Sequence, residues 1–189
     1  MGLTLKQKIF GIRPTIAQLQ KLVKLAEKVT PEDTILEKLF YEADFAGILT
    51  NRTEEEGREL TKKQVYEIQG AYRKPLGYKE VQSVRRRFNI GSRVFKMVPD
   101  YENFNAGQHI SFNEWTKSDK TVDENLHNLA ALCCVEYKFP YLSRRKETTK
   151  EFYKRAEFFR DNCPAEIAYQ LAGFFLQTQI EFLKTISKQ

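Results

Sequence analysis

Glycine-rich phosphate loops, a disulfide framework and long apolar runs are all missing from this 189-residue chain, and histidine and tryptophan are nearly so. Each absence removes a class of function. Nine scattered glycines form no Gly-x-Gly-x-x-Gly, no Gly-Lys-Ser/Thr and no Gly-x-Ser-x-Gly, so neither nucleotide-binding loops nor a nucleophile elbow is expected. Three cysteines, Cys133 and Cys134 adjacent and Cys163 apart, fit a reducing cytoplasm better than an extracellular scaffold. No stretch approaches the roughly 18 apolar residues a membrane span needs. Met1 to Phe10 lacks the apolar run and small-residue cleavage site of a secretory signal.

The two histidines leave little room for a metal. Glu124-x-x-His127 is half of a di-iron carboxylate set, which needs a second such pair and two more glutamates on facing helices. The other histidine, His109, falls in an expected strand, and Glu124 reads more simply as the capping partner of Thr121. Cys133 and Cys134 sit late in an expected helix beside Leu132 and Val135, where a free cysteine behaves as a small apolar residue. Cys163 precedes a helix start and reads as part of a cap. No catalytic residue, metal, cofactor or membrane contact is expected, and the chain reads as a non-enzyme.

What is present is helix, well punctuated. Arg13-Pro14-Thr15-Ile16 places a proline at a first helical position, ahead of Ile16, Leu19, Val23 and Ala26. Thr30-Pro31-Glu32-Asp33 offers a second start, followed by an apolar stripe of Ile35, Leu36, Leu39 and Phe40. Ser/Thr-x-x-Glu/Gln boxes stand at Thr53–Glu56, Thr61–Gln64, Thr121–Glu124 and Thr148–Glu151, the first opening only a short turn. A last helix opens at Cys163-Pro164-Ala165 and runs to about Ser187.

The middle has a different period. Segments 86–90 and 93–98 flank Gly91-Ser92 as a β-hairpin, and alternating Ile110 and Phe112 suggest a third strand over Gln108–Trp115. The expected fold is α+β and predominantly helical, a single domain over 1–189. Its parts are a helical lobe over 1–75, a small central β-hairpin or sheet over 76–115, and C-terminal helices over 116–189.

Charge is concentrated at the hairpin. Arg85, Arg86, Arg87, Arg93 and Lys96, with no acid between 81 and 98, carry five of the six excess positive charges, and the remainder of the chain is nearly balanced. Three readings fit: contact with a phosphate backbone, docking onto an acidic partner, or a solvated edge strand guarded against pairing. On a strand, Arg85 and Arg87 share one face and Arg86 takes the other. The C-terminal helix is apolar over more of its circumference than one core-facing stripe requires. Either it is central to its own fold, or Leu176, Ile180 and Leu183 form an interface.

The order of elements resembles a diffuse family of small virion and tail-morphogenesis proteins of tailed bacteriophages, particularly crAss-like phages and relatives infecting Bacteroidetes. The resemblance is carried by Thr15-Ile16-Ala17-Gln18-Leu19, by Phe88-Asn89-Ile90-Gly91 through Val94-Phe95 and Pro99-Asp100, and by Phe104 to Phe112. Asn125, Leu129-Ala130-Ala131-Leu132 and Phe174-Phe175 complete it, while the basic approach to the hairpin departs from it. It implies a non-enzymatic virion structural protein, such as a neck or ring component, assembled in the host cytoplasm. Its partners would be other virion or tail-assembly proteins, with further copies of itself and DNA also open. The alternatives are a tail-assembly chaperone and a small nucleic-acid-binding protein using the arginine hairpin.

Overall fold

The computed structural model describes residue 7 and residues 11–74, 86–97, 106–137 and 148–186, with the side chains of 120, 181–183, 185 and 186 outside that description. Within these bounds the chain is predominantly helical, with eight helices and one three-stranded antiparallel sheet. It divides into two compact units, Met1–Pro75 and Leu76–Gln189.

The first unit holds α1 (Ile16–Ala26), α2 (Ile35–Leu49), α3 (Glu54–Arg58) and α4 (Lys62–Ala71). All four open on reciprocal capping boxes, Thr15 with Gln18, Thr34 with Glu37, Thr53 with Glu56 and Thr61 with Gln64. Two of these starts differ from the sequence expectation. Thr15 caps α1, so Pro14 precedes the cap and is not the first helical residue. Thr30 and Asp33 bond to each other in a closed turn, and α2 begins one turn later at Thr34. Ile12, Leu22, Leu49, Leu60, Val65 and Ile68 make the core. Gly47 on α2 and Gly57 on α3 meet so closely that a Cβ on Gly57 would lie 3.1 Å from the Ala43 carbonyl oxygen.

Gln18 joins α1 to the far end of α2. The latter ends in a Schellman motif, with Arg52 N–H donating to the Gly47 carbonyl, Asn51 N–H to Ile48, and Asn51 left-handed at φ 56°. The buried Gln18 amide donates to the Ile48 and Leu49 carbonyls and to Asn51 Oδ1 at 2.9–3.2 Å. Its Oε1 accepts from Thr15 N–H, so one side chain caps two helices.

In the second unit, β1 (Arg87–Ile90) and β2 (Arg93–Met97) form the expected hairpin, turning at Gly91 with φ 58°. The third strand is not where alternation placed it. Residues 106–115 are helix α5 (Ala106–Trp115), with Phe112 buried and Ile110 exposed. Two apolar residues at i and i+2 are too short a pattern to decide, and Phe112 with Trp115 at i+3 share a helical face. The strand is instead β3 (Cys134–Glu136), pairing with β2 in the order β1-β2-β3, so the β-element is not confined to 76–115.

Helix α6 (Asp119–Leu132) is capped by Ser118 with Thr121, one turn earlier than the expected Thr121–Glu124 box, which leaves Glu124 exposed on the helix. It stops at Leu132 with Cys133 as its C-cap, so Cys134 belongs to a strand rather than to the helix end. Helices α7 (Thr149–Asn162) and α8 (Ala165–Ile186) pack on α6. The Arg155 guanidinium on α7 donates to the Ala131 and Cys134 carbonyls, a cation at a helix C-terminus that also fixes the entry to β3. Phe95 is fully buried, with Phe88, Phe158 and Phe159 around it at 4.8–6.1 Å between ring centroids.

Candidate functional site

Strand register sorts the hairpin cations into two groups. Phe88, Ile90, Phe95, Met97 and Cys134 are buried, so one sheet face is covered. Arg93 stands opposite Ile90 on that covered side. It is exposed at the hairpin end, lies 4.2 Å over the Phe158 ring and is within 3.9 Å of Glu136. Arg93 is therefore part of the sheet's attachment to α7 and stands apart from Arg87 and Lys96.

Arg87 and Lys96 are different. They lie directly opposite each other on the uncovered face. Met97 N–H donates to the Arg86 carbonyl, making the neighbouring Arg87–Lys96 position the closer, non-hydrogen-bonded kind of pair. Like charges directly opposite are unfavourable in a sheet, so this pairing costs stability. The same face carries Asn89, Val94 and Val135, the valines 37% and 43% exposed, and Tyr137, whose ring lies 5.5 Å from the Arg87 guanidinium. No acid stands on that face among the described residues. Arg86 is exposed at the entry to β1, and Arg85 lies outside the described residues.

A second surface was legible only as a helix stripe. Ile35, Leu36, Leu39 and Phe40, in the first two turns of α2, are 82, 62, 43 and 41% exposed. They lie on the flank of α2 that, further along, buries Ala46, Gly47 and Leu49. The apolar stripe thus outruns the core that covers it. Periodicity cannot tell the covered half from the uncovered half, because both halves have the same pattern. The interface expected on α8 is less open: Leu176 is half-buried, Ile180 exposed, and the Leu183 side chain lies outside the described residues.

The polar chemistry elsewhere is inward and quiet. Cys133, Cys134 and Cys163 are buried, and desolvation pushes the Cys133 and Cys163 thiols far up, which keeps them protonated at neutral pH. No cluster of three metal-ligating side chains exists among the described residues. His127 is half-buried on α6, and its Nδ1 has no hydrogen-bond partner among the described residues. Burial first, then Arg160, lowers its pKa against opposing Asp161 and Glu157. The unfolded state therefore takes the proton more readily than the folded state. Stability should fall as pH drops through the ordinary histidine value, about 6.5. His127→Gln should flatten that decline in urea titrations from pH 7.5 to 5.5; an unchanged decline would assign it to other groups.

Comparison of the chain with protein-family models, curated proteins and solved structures finds no match in any of the three. Among the described residues, no helix is long and apolar enough to cross a membrane.

Proposed function

We propose that this chain is a non-enzymatic component of bacteriophage particle assembly, acting by multivalent contact with other virion or tail proteins. The observation that carries the contact reading is the uncovered apolar stretch of α2. Four large apolar side chains on two consecutive turns are more than the scattered exposed residues of an ordinary surface. Scaffolding of this kind needs rigid presentation, and the Gly47–Gly57 crossing and the Gln18 lock hold the other end of α2 in place. The phage assignment rests on the residue pattern described above, from Thr15–Leu19 to Phe174-Phe175.

Mass spectrometry of purified particles tests the reading. A structural component is expected at fixed stoichiometry in finished particles. Presence in infected cells but absence from particles would instead support a tail-assembly chaperone. A second reading, nucleic-acid contact, is favoured by the Arg87–Lys96 pair, which faces no acid among the described residues and stands beside Tyr137, since cations and an aromatic on an open sheet face suit a phosphate backbone with bases.

A further inference from the structure

The near-balance of charge outside the hairpin is made of segregated parts. Residues 27–59, which hold α2 and α3, contain ten acids and four bases, a balance of −6, so the remaining chain carries +12. The uncovered end of α2 lies in this acidic segment, flanked by exposed Glu32 and Glu37 and half-buried Glu42. The uncovered sheet face has the opposite character, with Arg87 and Lys96 around exposed Val94 and Val135. The sheet face carries cations alone as its charges among the described residues. The α2 surface carries a net excess of acids, with Lys38 exposed on the helix and Arg58 lying 5.1 Å over the Phe40 ring. The net signs are complementary.

The shapes also suit each other. Three strands at about 4.8 Å spacing make a platform roughly 10 Å wide, the diameter of a helix with its side chains. The sheet already carries a helix on one face, through Phe158 and Phe159 against Phe95. A helix on the other face would complete a common layered packing. It would also place carboxylates beside Arg87 and Lys96, relieving the like-charge pair.

We infer that α2 of one copy docks on the uncovered sheet face of a second copy. The inference rests on the contact-protein reading above and names the partner. Because the two surfaces differ, the contact is heterologous: it repeats from copy to copy and closes into a ring or continues as a filament. Opposite charges speed the encounter and make it sensitive to salt.

Two variants test this by sedimentation velocity. Arg87→Glu with Lys96→Glu spoils the sheet face and leaves α2 intact. Leu36→Glu with Phe40→Glu spoils α2 and leaves the sheet intact. The unaltered chain should self-associate with rising concentration, more strongly at low salt. Each variant alone should associate about tenfold or more weakly. An equimolar mixture should regain association but stop at heterodimers, since only one good pair of surfaces remains. Circular dichroism checks folding; if the half-buried Lys96 site does not tolerate the change, Arg87→Glu alone must still weaken association.

A chain that is monomeric at all concentrations overturns the inference. So does a sheet variant that associates like the parent, which would mean α2 meets α2. DNA binding lost in the sheet variant, without self-association of the parent, overturns it in favour of nucleic acid. Should the parent be monomeric while α2 is shielded inside particles, the contact-protein reading survives with another partner. If α2 is shielded nowhere, both fail.

Discussion

Phe95→Ala should destabilise the second unit by about 3–5 kcal/mol, the range for emptying a fully buried aromatic site. Phe95 has no exposed surface and is ringed by Phe88, Phe158 and Phe159. Truncation removes three aromatic contacts at once, and rings on two different elements would have to move together to fill the void. The loss bears on function, because Phe95 sits between the sheet and α7. Without it, β2 keeps only the Arg93–Phe158 contact at the hairpin end and buried Met97 on its covered side among the described residues, and the Arg87–Lys96 face loses its central anchor. Urea denaturation followed by circular dichroism gives the magnitude. Val94→Ala, on the uncovered face of the same strand, should cost less than about 1 kcal/mol. Equal losses at the two positions would mean that the sheet is not anchored through its covered side.

Gln18→Leu is the second large effect, at about 2–4 kcal/mol. The substitution keeps the volume but deletes the donor that serves the Ile48 and Leu49 carbonyls and Asn51 Oδ1, and the acceptor for Thr15 N–H. A buried group left without a partner costs about 1–3 kcal/mol. The Leu49 carbonyl and the part-buried Thr15 N–H are at stake. The Ile48 carbonyl keeps the Asn51 N–H, and the exposed Asn51 side chain turns to water. Amide hydrogen exchange should show the loss as faster opening at the C-terminal end of α2 and the start of α1 together. Faster exchange in α1 alone would reduce Gln18 to an ordinary capping residue.

These two residues show where the sequence is legible and where it is not. Capping boxes are local chemistry, so Thr53, Thr61 and Thr148 mark their helices directly. The hairpin is local too, because Gly91 supplies the left-handed turn between two short β-prone runs. Gln18 looks like the third residue of a capping box, and it is one. Its reach to residues 48–51, some thirty positions away, is tertiary and leaves no mark in the sequence. The third strand is hidden for a similar reason. Cys134–Glu136 is only three residues long, and it is a strand because β2 offers it an edge, not because of its own pattern.

The contact surfaces divide the same way. The excess of positive charge at 85–96 is plain in the sequence, but its partition is not. Only register shows that Arg87 and Lys96 share the open face while Arg93 turns to Phe158 and Glu136. The stripe of Ile35, Leu36, Leu39 and Phe40 is equally visible, and what cannot be read is how exposed it stays, with Arg58 over the Phe40 ring as its partial cover.

That uncovered stripe can be tested directly through thiol chemistry. Cys133, Cys134 and Cys163 are all buried, so Leu36→Cys would introduce the one readily reactive thiol among the described residues. Its rate of reaction with a maleimide is measured in the dilute chain and again in particles assembled with the variant. A contact protein predicts rapid labelling in the dilute chain and labelling slowed by about tenfold or more in the particle, where α2 is covered. Equal rates in the two states would show that α2 stays open to water, and would contradict the assignment of this surface to assembly.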